Sequence, residues 1–205
     1  AQAGAEVIAA GRSSAAQTVA LTGGRELQLD LSDPMAAHDS FAAEQIDILV
    51  NNAGIIRRAD AVDFTESDWD AVMDVNLKAV FFTAQAFAKA VFARAGTGKI
   101  INIASLLAFQ GGIRVPSYTA SKHGVAGLTK LLANEWAARG INVNAIAPGY
   151  IATANTEALR ADPVRNQAIL DRIPDIVGAA VFLASPAADY IHGTILNVDG
   201  GWLAR

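Results

Sequence analysis

Short apolar, β-branched runs alternate along the chain with longer segments of helical period. The runs cover residues 6–10, closing at Gly11, 26–29, closing at Asp30, and 46–50, closing at Asn51; residues 99–104, 141–147 and 195–198 follow. Several are apolar at consecutive positions, which predicts strands covered on both faces. Helical spacing predicts helices over 35–44, 67–74, 77–94, 117–139 and 176–184. Thr65, with Asp68 three positions on, reads as a capping-box variant. Arg139-Gly140 places a cation in a last helical turn and a glycine just past it. Strands alternating with helices predict an α/β fold with a doubly wound parallel sheet. No repeat, low-complexity tract or Pro/Ser-rich linker divides residues 1–205, so one domain is expected.

Composition narrows the function classes. With 52% hydrophobic and 18% charged residues in 205, the chain has ample core and is not a disordered one. Sixteen Lys and Arg against 20 Asp and Glu give a net charge of −4, without the basic surplus of a nucleic-acid binder. The absence of Cys excludes disulfides, thiolate metal sites and Cys nucleophiles. Three well-separated histidines (His38, His123, His192) argue against zinc, and no metal is expected. No apolar stretch reaches the ~18 residues of a membrane span, and Ala1-Gln2-Ala3-Gly4-Ala5-Glu6 lacks the basic start of a secretory signal. A cytoplasmic protein that touches neither membrane nor nucleic acid is expected.

In a doubly wound sheet the ligand sits outside the carboxyl ends of the strands. The positions just past them read Gly11-Arg12-Ser13, Asp30-Leu31, Asn51-Asn52-Ala53-Gly54, Ser105 and Pro148-Gly149, mostly small or polar. Tyr118 and Lys122 stand four apart at the start of the helix after Pro116, so they share one face. A phenol with a reference pKa of about 10 works as an acid or base near neutrality only if its anion is stabilised, which a neighbouring ammonium does. Ser105 closes a strand thirteen residues upstream. Its hydroxyl can polarise a carbonyl oxygen or merely cap the loop, and no His or acidic base accompanies it as a hydrolase triad would require.

Together Asn51-Asn52-Ala53-Gly54, Asn76, Ser105, Tyr118-x-x-x-Lys122 and Pro148-Gly149 resemble, in order and spacing, the short-chain dehydrogenase/reductase family. The resemblance spans nearly the whole chain. It implies a Rossmann-type fold and hydride transfer between a nicotinamide cofactor and an alcohol or carbonyl. By the same resemblance Tyr118 is the general acid/base, Ser105 orients the reacting oxygen, and Lys122 lowers the Tyr118 pKa and holds the nicotinamide ribose. Asn76 corresponds to an asparagine that positions a water linking Lys122 to solvent. Asn52, Ala53 and Gly54 are expected beside the adenosine ribose, and Asp30 and Leu31 beside the adenine. Pro148, Gly149, Ile151 and Thr153 are expected in the loop that meets the nicotinamide; Gly54 and Gly149 read equally well as turn glycines. Arg12 favours a 2′-phosphate but can also stack on adenine, so the cofactor stays open between NAD and NADP.

A narrower similarity lies in Asn52-Ala53-Gly54-Ile55-Ile56-Arg57-Arg58, the stretch 109–116, Leu132-Ala133-Asn134-Glu135-Trp136 and the terminal stretch 198–205. These resemble a subgroup that acts on deoxy sugar acids, 2-deoxy-D-gluconate 3-dehydrogenases, also described as 2-dehydro-3-deoxy-D-gluconate 5-dehydrogenases. Arg57, Arg58 and Arg114 flank the expected cleft and could bind a carboxylate, with Arg114 the chosen candidate beside Ser105 and Tyr118; surface or interface positions are the alternative. A 3-oxoacyl thioester reductase or another sugar dehydrogenase is the competing enzyme reading, and a catalytically silent nucleotide-binding scaffold the non-enzyme one. Relatives imply a homotetramer. The family's first strand and Gly-rich phosphate loop have no counterpart in these 205 residues. The resemblance therefore predicts further residues before Ala1 and between Pro174 and Asp175, and a one-strand gap in the sheet beside strands 6–10 and 46–50.

Overall fold

The computed structural model describes residues 1–42, 44–151, 167 and 175–204. Thr153 and the junction after Pro174 lie outside the described residues. Among the described residues six strands form: β1 (Ile8–Gly11), β2 (Arg25–Gln28), β3 (Ile48–Asn51), β4 (Gly98–Ile103), β5 (Ile141–Pro148) and β6 (Ile195–Val198). Every pairing among them is parallel. The helices are α1 (Ala16–Thr22), α2 (Ala37–Ala42), α3 (Glu66–Met73), α4 (Ala79–Ala93), α5 (Pro116–Trp136) and α6 (Val177–Ala184).

Consecutive apolar residues in the central strands do face opposite layers. Ile100 packs with Phe87 and Val91 of α4 and Leu132 and Trp136 of α5. Its neighbour Ile101 packs with Leu183 of α6. The four strands β3-β4-β5-β6 form one sheet, while β1 and β2 pair with each other alone. β3 is thus an edge strand of its sheet. Ile48 and Val50 of β3, apolar enough for a doubly covered strand, are 36% and 47% exposed there.

Local chemistry sets the helix ends. Thr65 Oγ1 accepts from the Asp68 backbone N–H at 3.2 Å and caps α3. Pro116 starts α5, where its missing N–H would be unsatisfied anyway. A 3₁₀ turn, Ala137–Arg139, follows α5 and ends at Gly140, whose φ of 84° is left-handed. The expected helices at 67–74 and 77–94 are joined by a π turn, Asp74–Lys78, into one run. Helix α1 has no buried residue, so it leaves no apolar stripe in the sequence and escaped the periodicity reading.

A polar chain crosses this apolar interior. Asn51 Nδ2 donates to Asn102 Oδ1 (2.9 Å), Asn102 Nδ2 donates to Thr129 Oγ1 (3.0 Å), and Thr129 Oγ1 donates to the Val125 carbonyl (2.8 Å). It ties the ends of β3 and β4 to α5, and Asn102 is fully buried. Asn102→Leu strips two partners of their bonds and should destabilise the protein by roughly 1–3 kcal/mol. Urea denaturation checks this through a lower midpoint at unchanged slope; an unchanged midpoint would show that the polar chain adds no stability.

Candidate active site

The expected site residues gather at the carboxyl ends of the strands. Ser105 follows β4 by two residues, and Tyr118 and Lys122 occupy the first two turns of α5. Lys122 Nζ lies 5.6 Å from the centroid of the Tyr118 ring, the neighbourhood expected from i, i+4 spacing. The lysine is nevertheless only 4% exposed, and its Nζ donates to the Ile103 carbonyl at 2.6 Å. That bond fastens α5 to the last residue of β4. Burial pushes the Lys122 ammonium down to about 8.

Asn76 sits in the π turn, fully buried. Its Oδ1 accepts from the Ile55 backbone N–H (2.8 Å), and its Nδ2 donates to the Ile55 carbonyl (2.9 Å). Nδ2 also reaches Ser121 Oγ at 3.4 Å. Here the carboxamide pins the segment after β3 against α5, a task beyond the water-positioning one expected of it. A π turn at such a place is in keeping with their concentration at functional sites. Gly54 is placed by the same contact: a Cβ there would stand 3.4 Å from Asn76 Oδ1 and 3.9 Å from Lys122 Nζ. A larger side chain would crowd the lysine.

Burial pushes the Tyr118 phenol up; a hydrogen bond from Ser105 and then the positive charge of Arg58 oppose the rise. The sequence reading gave that opposing role to Lys122. Ser105 Oγ also accepts from the Leu107 backbone N–H at 3.2 Å, so the same hydroxyl caps the following turn and serves the site. Ser121, which sequence reasoning missed, is fully buried and donates to the Tyr118 carbonyl at 2.8 Å. Its place one helical turn after Tyr118, beside Lys122, was the available signal.

The remaining candidates divide. Asp30 and Arg12, at the ends of β2 and β1, come close enough for their charges to interact. The Asp30 carboxyl is held low mainly by hydrogen bonds from Ser32, with Arg12 the smallest cause. Leu31 packs partly against the main core. Asn52 and Ala53 are exposed. Pro148 ends β5 paired with Val198. Gly149 is a glycine because a Cβ would stand 2.9 Å from Asp199 Cα, so its lack of a side chain serves the chain crossing beside it. Tyr150 packs edge-on against Trp202, centroids 4.9 Å apart, and Ile151 is part-buried. Arg114, the chosen carboxylate ligand, is engaged elsewhere: its Nε faces Asp60 Oδ1 at 3.1 Å from a left-handed backbone with φ 64°. Arg57 Nε likewise faces Asp68 Oδ1 at 3.2 Å. Among the described residues no group of three His, Asp or Glu comes together as a metal site, and no helix is long and apolar enough to cross a membrane.

Comparison with known proteins agrees with this geometry. The profile of the family described as enoyl-(acyl carrier protein) reductase matches residues 1–203. The 2-dehydro-3-deoxy-D-gluconate 5-dehydrogenase of Escherichia coli K12 is 64% identical over 168 residues, which take in 78% of this chain and 66% of that protein. The chain thus spans just under two thirds of that relative's length. The Bacillus subtilis 168 protein of the same name is 61% identical over 189 residues, 86% of this chain and 74% of that protein. A crystal structure from Agrobacterium tumefaciens, of a protein assigned as a 2-deoxy-D-gluconate 3-dehydrogenase with bound NADP, is 69% identical. It superposes with a TM-score of 0.92 over 98% of this chain and 87% of that one. A gluconate 5-dehydrogenase from Burkholderia cenocepacia J2315, in complex with NADP and tartrate, is 34% identical with a TM-score of 0.90, covering 100% of this chain and 88% of that one. On this evidence the chain belongs to the short-chain dehydrogenase/reductase family of oxidoreductases.

Proposed function

We propose that the protein is an NAD(P)-dependent dehydrogenase that interconverts a secondary alcohol and a ketone on a deoxy sugar acid such as 2-deoxy-D-gluconate. The observation that carries this reading is the cluster of half-buried Tyr118 and Ser105 with buried Lys122 and Asn76 at the strand ends. Relatives named for deoxy sugar acids supply the substrate class.

The residues present fit a dinucleotide. Gly54 leaves the space beside Lys122 Nζ open, and Arg12 and Asp30 mark the other end of the cleft. Arg12 supports NADP, through a charge-assisted bond to a 2′-phosphate, while Asp30 can accept from ribose hydroxyls as NAD requires. The bound nicotinamide supplies the hydride acceptor for oxidation and the donor for reduction. Lys122 would hold the ribose beside it, and Asn52, Ala53, Pro148 and Ile151 would line the remainder.

In the oxidising direction Tyr118 takes the proton of the reacting hydroxyl onto its Oη, and in the reducing direction returns it to the ketone oxygen. Ser105 donates a hydrogen bond to that oxygen and steadies the charge that develops on it. Burial keeps the phenol protonated near neutrality, so Ser105 and Arg58 act against it by favouring the phenolate. Asn76 and Ser121 hold the elements that carry these groups.

The assembly in this reading is a cytoplasmic homotetramer. An apolar cavity of about 650 Å³, lined by Met73, Leu77, Phe81, Leu128 and Leu131 across α3, α4 and α5, supports a face between copies.

Absorbance at 340 nm, followed with NAD or NADP against a panel of sugar acids, neutral sugars and simple alcohols, tests the activity. Cofactor reduction is expected with 2-deoxy-D-gluconate and not with simple alcohols; equal rates across the panel would overturn the substrate class. Tyr118→Phe should lower kcat by at least ~10²-fold with cofactor binding largely kept. Near-normal turnover in that variant would overturn the mechanism.

Lys122 gives an independent check. Its folded pKa of about 8 lies below the 10.5 of an unperturbed lysine. Across that window the unfolded chain holds a proton that the folded chain has released, so this residue makes stability rise with pH. The unfolding free energy of the parent protein, measured relative to Lys122→Met, should therefore climb between about pH 8 and 10. A difference that stays constant with pH would contradict the buried, strained charge.

A further inference from the structure

Two buried side chains carry a one-way series of hydrogen bonds from the segment after β3 into the backbone of Tyr118. The Ile55 N–H donates to Asn76 Oδ1 at 2.8 Å, which fixes the orientation of the carboxamide, because only its oxygen can accept there. Both N–H groups of Nδ2 are then engaged, on the Ile55 carbonyl at 2.9 Å and on Ser121 Oγ at 3.4 Å. A hydroxyl that accepts from an amide keeps its own proton for another partner, and Ser121 Oγ donates to the Tyr118 carbonyl at 2.8 Å. Asn76 and Ser121 are both fully buried, so bulk solvent does not compete for these bonds.

The series joins two parts of the proposed site that reach it on different elements. Gly54, next to Ile55, leaves room beside Lys122 Nζ, which a Cβ would approach to 3.9 Å. Tyr118 stands near the start of α5, its ring centroid 5.6 Å from the same Nζ. The Lys122 bond to the Ile103 carbonyl ties α5 to β4, whereas the Ser121 bonds tie it to the segment after β3. We propose that Ser121 is a positioning residue: through Asn76 its hydroxyl carries the placement of residues 54–55 to the Tyr118 backbone, and so sets where the phenol stands against the reacting oxygen. This rests on the dehydrogenase reading above for the role of Tyr118, and on the bonds alone for the link.

Ser117 supplies the contrast. It lies one turn before Ser121 on the same face of α5, is equally buried, and its Oγ has no hydrogen-bond partner. A serine that bonds back to a carbonyl three residues earlier is common in helices; the second bond, from Asn76, sets Ser121 apart. Alanine at either position removes one buried hydroxyl from the same helix face, but only at 121 does a bond to the tyrosine go with it. A role in packing predicts the same outcome at both positions, and a positioning role predicts a difference.

The test compares the parent, Ser121→Ala, Ser121→Cys and Ser117→Ala in two measurements. Amide hydrogen exchange reads the link without any substrate. The Ile55 N–H should exchange about 10-fold faster in Ser121→Ala than in the parent, and stay within ~3-fold of the parent in Ser117→Ala. Turnover of 2-deoxy-D-gluconate, with NAD and with NADP, reads the consequence. Ser121→Ala should lower kcat by about 10- to 100-fold with KM for acid and cofactor within ~3-fold, because a misplaced tyrosine slows the chemical step more than binding. Ser121→Cys, which keeps a side chain of similar shape but a weaker donor, should fall between the parent and the alanine variant. Ser117→Ala should keep the parent kcat. Unchanged Ile55 exchange in Ser121→Ala, or an equal loss of kcat in Ser117→Ala, would overturn the proposal. A parent protein inactive on every alcohol tested, with the Ile55 difference present, would instead defeat the dehydrogenase reading and uphold the link.

Discussion

A lysine ammonium sealed at the end of a parallel sheet organises this molecule. Lys122 has little contact with solvent and donates a hydrogen bond to the Ile103 carbonyl at 2.6 Å, so the first turns of α5 cannot shift along β4 without leaving a buried charge unpartnered. Tyr118, one turn earlier on the same face, inherits its position from that bond. Gly54 lets the chain after β3 approach the ammonium, and Asn76 holds that chain in place by bonding both backbone groups of Ile55. The geometry of the proposed site is thus set by three polar fastenings among strand ends and helices that are otherwise packed through apolar contacts.

The same design recurs one layer deeper. Asn51, Asn102 and Thr129 form a bonded chain through an interior that is otherwise mostly apolar. Such a chain is favourable only when each member is satisfied, and it fixes the register of β3, β4 and α5 more tightly than hydrophobic packing does. Apolar contact decides that the layers meet; the polar chain and the Lys122 bond decide where along their length they meet. Reactivity at Tyr118 depends on the second.

Much of this was legible in the residues themselves. Consecutive apolar positions in β4 and β5 announced strands covered on both faces, and Ile100 and Ile101 do face opposite layers. Tyr118 and Lys122 were marked by spacing, and Ser105 by its place after a strand. Features with a tertiary cause were not visible. The π turn at Asp74–Lys78 has no propensity signature, since its Asn76 is bonded to a backbone group 21 residues away. Ser121 looked like helix filler because its partners are a carbonyl and a distant amide. Arg57 and Arg114 could not be told apart from carboxylate ligands in the sequence, because the aspartates they face, Asp68 and Asp60, are brought to them by folding. Helix α1 buries no residue and so left no apolar pattern to read.

The central claim is that one alcohol oxygen is served jointly by Ser105 and Tyr118. A crystal structure of the protein with NADP and a deoxy sugar acid measures this directly. The reacting oxygen should lie within about 3.2 Å of both the Ser105 and Tyr118 hydroxyls. A sugar acid whose carboxylate points toward Ser105, or whose nearest carbon oxygen stands beyond hydrogen-bonding reach of Tyr118, would contradict it.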